Sequence, residues 1–168
     1  MTIANYVTFT RIALVPLLIA LLFFGLNGLS LILFLLLSFS DALDGYIARR
    51  YNQISELGKF LDPLADKILV ISVLIILVGL GKVDAIPVII IAAREFLVSG
   101  LRINAAKHNK IIAASPLAKW KTFVQIIATA MLIIGLPFDN LVLWLAVILS
   151  LISGGVYLWE SKTQKFLK

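Results

Sequence analysis

Residues 12–40 read IALVPLLIALLFFGLNGLSLILFLLLSFS without one charged side chain, and the next residue is Asp41. A helix needs about 20 mostly apolar residues to cross a bilayer. The run therefore holds one full crossing, a break at Gly25–Gly28, and most of a second crossing. Segments 122–138 and 140–159 are equally free of charge. The 168-residue chain is 61% hydrophobic, with a mean hydropathy of +1.06, whereas soluble domains are about 45–50% apolar. Only helices and closed barrels can satisfy the backbone within lipid, and these runs are continuous rather than alternating. The sequence predicts an all-α integral membrane protein with six transmembrane helices.

The spans are expected near 9–25, 29–50, 59–80, 85–105, 118–135 and 141–159, in one domain over 1–168 with no repeat and no low-complexity segment. Met1–Thr10 mixes polar and apolar residues and is expected to lie along the interface as a short N-terminal amphipathic segment. The first apolar run is not read as a signal peptide, because it lacks a lysine-rich start and a small-x-small cleavage site. With no cysteine in the chain, disulfide and thiolate chemistry are excluded.

Charge sets the orientation. Among the turns near 26–29, 80–85 and 135–140 only Lys82 is basic, and the other fourteen Lys and Arg fall toward the opposite side. By the positive-inside rule that side faces the cytoplasm, with both termini inside a multi-pass protein of the cell membrane. The formal charge of +6 then reflects topology and anionic ligands rather than nucleic acid, since the basic residues flank apolar spans instead of forming a soluble domain. Lys162, Lys165 and Lys168 in the tail suit anionic headgroups of membrane lipids. Trp120, Trp144 and Trp159 suit an aromatic belt, and His108 is a loop residue.

Just past the first uncharged run stand Asp41-Ala-Leu-Asp44-Gly45 and, after eight residues beyond Arg49, Gly58 followed by Asp62 and Asp66. Carboxylates beside membrane spans are costly and usually functional. Asp41 and Asp44 share a helix face with Gly45 and Ala48, and Asp62 and Asp66, four apart, share another. The second span descends toward the cytoplasm and the third rises from it, so all four come to similar depth. Pro63 fits the first turn of the third helix, or a kink whose freed carbonyl a neighbour satisfies.

Four facing carboxylates cannot all stay ionised unaided. With no His or Cys near in sequence, an oxygen-only site suits hard divalent ions, Mg2+, Mn2+ or Ca2+. Two such ions balance four negative charges and suit a diphosphate undergoing in-line displacement. Arg49, Arg94, Arg102, Lys119 and Lys121 lie toward the same side and fit phosphates. The rival readings are a helix pair with salt bridges to Lys67, Arg49 or Lys59, and a divalent-cation transporter. The transporter has no ready use for Gly45, Arg49 and Gly58 at their spacing.

The pattern D-x2-D-G-x2-A-R-x8-G-x3-D-x3-D resembles the signature of the CDP-alcohol phosphotransferases, and the chain matches every fixed position. The resemblance covers nearly the whole chain. It implies an enzyme that joins a CDP-linked lipid to an alcohol and releases CMP. Asp41, Asp44, Asp62 and Asp66 would ligate two divalent cations, with Asp66 also the general base. Gly45 would let the cytidine nucleotide approach, and Arg49 and Ser55 would contact it. The resemblance also implies a homodimer. With no plausible Cys or Ser–His nucleophile, a direct displacement is expected.

Three further stretches resemble the branch of that family that transfers the phosphatidyl group of CDP-diacylglycerol to glycerol 3-phosphate. They are Asn5-x2-Thr8-x2-Arg11, Arg94-Glu95-x5-Leu101-Arg102 and Ser115-x3-Lys119-x-Lys121-Thr122. Ala118 stands where that branch usually has glycine. Asn5 and Thr8 are expected at the nucleotide pocket. Arg94, Arg102, Lys119 and Lys121 give more cation than an uncharged acceptor requires, and are expected to hold the acceptor phosphate. Serine, an inositol phosphate or phosphatidylglycerol are the alternative acceptors.

Overall fold

The computed structural model describes residues 3–50, 56–107 and 116–166, with side chains over 9–40, 67–101 and 119–159. Six helices follow one another: α1 Ile3–Phe23, α2 Asn27–Arg50, α3 Glu56–Gly79, α4 Ala85–Lys107, α5 Pro116–Ile134 and α6 Asp139–Phe166. No strand occurs among the described residues. The expected separate N-terminal segment is instead the opening of α1, which runs unbroken from Ile3. No Gly or Pro stands between Ile3 and Val15 to interrupt it. Helix α3 begins at Glu56, earlier than expected, so Pro63 lies well beyond its first turn.

Helices α1, α3 and α5 end in the same way. Gly25, Gly81 and Gly135 take positive φ of 72°, 70° and 69°, a conformation that costs glycine nothing. Leu26 N–H then reaches back to Leu21 C=O (3.0 Å), Lys82 N–H to Leu77 C=O (2.9 Å) and Leu136 N–H to Met131 C=O (3.1 Å). These six-residue closures satisfy carbonyls that a helix end leaves open. The glycines thus let three turns be tight.

Lys82 joins the three turns. Its Nζ donates to Asn27 Oδ1 at the start of α2 (3.1 Å) and to the backbone carbonyl of Ile133 in the last turn of α5 (3.2 Å). A cation at a helix C-terminus also meets the negative end of the helix dipole. The basic residue that breaks the charge asymmetry of the sequence is therefore a structural tie.

Helix α3 packs against α1, α2, α4 and α5, while α6 covers α4 and α5. Leu18, Leu22, Phe34, Leu69, Val73, Leu74, Leu77, Ile91, Leu132 and Leu143 fill the centre. The distribution of polarity inverts that of a soluble domain. Phe24, Ile32, Leu36, Ile75, Ile89, Leu97, Ile148 and Trp159 are exposed, whereas Arg11, Ser30, Glu95, Lys121, Gln125, Thr129, Ser150 and Ser153 are buried. Three hydroxyls donate to the carbonyl four residues earlier: Ser30 Oγ to Leu26 C=O (2.9 Å), Ser99 Oγ to Glu95 C=O (2.7 Å) and Thr129 Oγ1 to Gln125 C=O (2.8 Å). Among the described residues one helical stretch, Asp139–Trp159, is by itself long and apolar enough to cross a membrane, and shorter apolar stretches occupy Phe9–Phe23, Asn27–Ser40 and Lys67–Gly79.

Lys82→Met should lower the unfolding midpoint of the purified protein in detergent. The two lost bonds to a charged donor are worth about 1.5–3 kcal/mol each at most. An unchanged midpoint would show that the tie contributes nothing.

Candidate active site

The four aspartates lie on two successive helices that pack together, Asp41 and Asp44 on α2, Asp62 and Asp66 on α3. The Lys82–Asn27 bond holds the end of α3 beside the start of α2, so the two run antiparallel. Asp44 precedes the end of α2 by six residues, and Asp62 follows the start of α3 by six. At 1.5 Å per residue both stand about 9 Å along their helices from the 51–55 connection. Asp41 and Asp66, nine and ten residues along, stand at about 14–15 Å. The four backbone positions thus fall on two levels, one from each helix per level. Such an all-oxygen donor set, two levels deep, fits hard divalent cations.

The side chains of the aspartates, and of Asn5, Thr8, Arg49 and Arg102, lie outside the described set, as does Gly45 beyond its place on α2. Ser55 lies outside the described residues. Arg11, two turns past Asn5, was quoted in the sequence only as part of a motif. It is buried, and its Nη2 lies 3.4 Å from Ser40 Oγ, the residue before Asp41. This brings α1 to the level of the aspartates.

A cavity of about 670 Å³ runs along the seam of α2 and α5. Leu31, Leu35 and Phe39 line it from α2, and Ile126, Ile127, Ala130 and Met131 from α5. Its other end is polar, lined by Lys67, Arg94, Glu95, Lys119 and Lys121. Lys67 follows Asp66 directly in the chain, and Ser38, also lining the cavity, lies one helical turn before Asp41. The polar end of the cavity and the aspartate levels therefore adjoin.

Glu95 organises this end. Its Oε1 accepts from Lys121 Nζ and from Arg94 Nη1 (3.0 Å), and its Oε2 lies 3.9 Å from Lys67 Nζ. Glu95 as a whole is 6% exposed. Three helices besides its own contribute to the cluster. Lys67 comes from α3 and Lys121 from α5, while α6 receives Arg94, whose Nε donates to Ser150 C=O (2.9 Å) and whose Nη2 donates to Ser153 Oγ (2.5 Å). Gly154 makes room for it, since a Cβ there would stand 3.1 Å from Arg94 Nε.

Two of the expected phosphate contacts, Arg94 and Lys121, are thus gathered at one carboxylate, with Lys119 exposed at the mouth. In the sequence Glu95 stands out only as part of the Arg94–Arg102 stretch, and its role as a hub was missed. Also missed were Ser150, Ser153 and Gly154. Their signal was a run of small residues at helical spacing in the last span.

Lys121→Met should unfold at a markedly lower temperature than the parent, and Lys119→Met close to it. Removing one partner of a buried charge cluster costs about 3–5 kcal/mol, against about 0–1 kcal/mol for an exposed pair. Equal midpoints for the two variants would contradict the burial difference.

A model of the family described as CDP-alcohol phosphatidyltransferase matches residues 1–152. The chain is 44% identical over 167 residues to the CDP-diacylglycerol–glycerol-3-phosphate 3-phosphatidyltransferase of Rickettsia bellii (strain RML369-C), covering 91% of each chain. It is 43% identical over 172 residues to the protein of the same name from Rickettsia typhi (strain ATCC VR-144 / Wilmington), covering 95% of this chain and 96% of that one. To the protein of that name from Bacillus subtilis (strain 168) it is 39% identical over 183 residues, covering 94% and 95%. The aspartate signature, the helical architecture and a match over almost the full length agree: the chain belongs to the CDP-alcohol phosphatidyltransferase family.

Proposed function

We propose that this chain transfers the phosphatidyl group of CDP-diacylglycerol to glycerol 3-phosphate, giving phosphatidylglycerol phosphate and CMP. The observation that carries this is near-full-length identity with relatives that bear that activity in their names. The cation cluster at the polar end of the cavity supports an anionic acceptor.

The family is membrane-associated and divalent-metal dependent. In this chain the six helices are six spans of the cell membrane, with both termini and the aspartates toward the cytoplasm. The inverted distribution of polarity and the single basic residue among three turns support this topology. The working form is a homodimer, as the family resemblance implies.

Asp41, Asp44, Asp62 and Asp66 would hold two divalent cations, Mg2+ or Mn2+, whose charge would offset that of the diphosphate. Asn5, Thr8, Gly45, Arg49 and Ser55 seat the cytidine nucleotide. Arg94, Arg102, Lys119 and Lys121 seat the phosphate of the acceptor. Asp66 takes the proton of the acceptor's C1 hydroxyl, whose oxygen attacks the β-phosphorus as the bond from that phosphorus to the CMP oxygen breaks. Lys67, adjacent to Asp66 and 3.9 Å from Glu95, links the base to the phosphate-binding end.

The apolar length of the cavity suits an acyl chain of the lipid substrate. From Lys121 to Ile134 along α5 it extends about 20 Å, against about 15 Å for one leaflet of a 30 Å hydrocarbon core. Ala130→Trp should raise KM for a long-chain CDP-diacylglycerol several-fold while leaving a short-chain analogue unaffected. Equal effects on both would remove the acyl chain from this seam.

The proposed reaction is tested by supplying purified protein with CDP-diacylglycerol, Mg2+ and one acceptor at a time. CMP release should depend on glycerol 3-phosphate. Release with serine, an inositol phosphate or phosphatidylglycerol instead would assign another acceptor, and metal flux into liposomes without CMP release would assign a transporter. Asp66→Asn should lower turnover by at least about a hundredfold, the scale of a lost general base, while nucleotide binding persists. Full activity in that variant would remove Asp66 as the base.

A further inference from the structure

We infer that Glu95 is a positioning residue for the acceptor phosphate, assembling Lys67, Arg94 and Lys121 into a preformed dianion site. The inference rests on the glycerol 3-phosphate reading above. Its ground is the cluster itself: one buried carboxylate meets three cations drawn from α3, α4 and α5 at the polar end of the cavity.

Stability alone gives such a cluster little reason to exist. Buried ion pairs are often no better than well-packed apolar residues of the same volume, because desolvation offsets the attraction. Nor is the cluster balanced. Arg94, Lys121 and Glu95 together carry a net charge of +1, and Lys119 adds a further positive charge at the mouth. A phosphate monoester carries about −1.5 to −2 near neutral pH. The cluster is thus short of negative charge by what the acceptor brings.

Without Glu95 the three cations would repel one another in a poorly hydrated site, and the two lysine chains would have no common anchor. With it, Lys121 is held in place by its bond to Oε1, and Lys67 is drawn toward the same carboxylate. Arg94 is fixed from the other side by Ser150 C=O and Ser153 Oγ, over the space that Gly154 leaves. Lys121 carries three donors, so its bond to Glu95 leaves others for a phosphate. Ordering these side chains beforehand lowers the entropic cost of binding.

The test is steady-state kinetics of the full-length protein in detergent with CDP-diacylglycerol and Mg2+, varying each substrate. Glu95→Gln should raise KM for glycerol 3-phosphate by about tenfold or more, the scale of one charge-assisted hydrogen bond. KM for CDP-diacylglycerol should stay within about twofold. Glu95→Asp, which keeps the charge but withdraws it by one methylene, should fall between parent and Gln variant. An unchanged or lowered KM for glycerol 3-phosphate in Glu95→Gln would overturn the inference, the lowered value meaning that Glu95 merely competes with substrate. Equal deterioration toward both substrates would also overturn it, in favour of a purely structural role. If Glu95→Gln does not purify folded, the Asp variant carries the same test: a selective rise in KM for the acceptor supports the inference, and none overturns it. Parent protein that does not use glycerol 3-phosphate would instead refute the underlying assignment of acceptor.

Discussion

A carboxylate buried against three cations ties together the half of this molecule that does chemistry. Through Lys67 the Glu95 cluster reaches α3 beside Asp66. Through Lys121 it reaches α5, and through Arg94 it reaches Ser150 and Ser153 on α6. In a bundle whose exterior is apolar, helices gain little from the hydrophobic effect when they associate within lipid. Polar contacts and close packing must then set their relative positions. The cluster supplies both, since Arg94 lies against α6 in the space that Gly154 leaves. Placement of the clustered cations and assembly of the bundle are consequently one problem with one solution.

Much of the fold could be read from the sequence for a simple reason: uncharged runs long enough to cross a bilayer have few alternatives. The breaks near Gly25, Gly81 and Gly135 were visible as glycines beside polar residues, and all three proved to be helix ends of one design. The exceptions were local. The polar character of Asn5, Thr8 and Thr10 suggested a separate segment, yet nothing in residues 3–15 stops a helix, and α1 simply begins there. Polarity reports where a residue prefers to lie, whereas helix continuity depends on backbone compatibility.

For the site, spacing gave more than depth. The intervals Asp41 to Asp44 and Asp62 to Asp66 each fix a helix face, and the ends of α2 and α3 add the levels at which the pairs meet. Arg94 and Lys121 stand 27 residues apart in the chain, so no local pattern could reveal that both serve Glu95. Ser150 and Gly154 were harder still, since small residues in a span have many uses and become specific only once Arg94 is seen beside them.

The two ends of the bundle divide the work. At one end three glycine-closed turns and Lys82 satisfy exposed carbonyls with backbone bonds and a single cation. That end has little to exchange with solvent. At the other end stand the aspartates, the Glu95 cluster and the polar mouth of the cavity. A transfer between a lipid-anchored diphosphate and a water-soluble acceptor requires this asymmetry. In the proposed reaction the lipid would enter along the apolar seam and the acceptor from water, and the two would meet where the aspartates adjoin the cation cluster. A stiff closed end lets the charged end stay poised, because the helices that carry opposite charges are already held in register before either substrate binds.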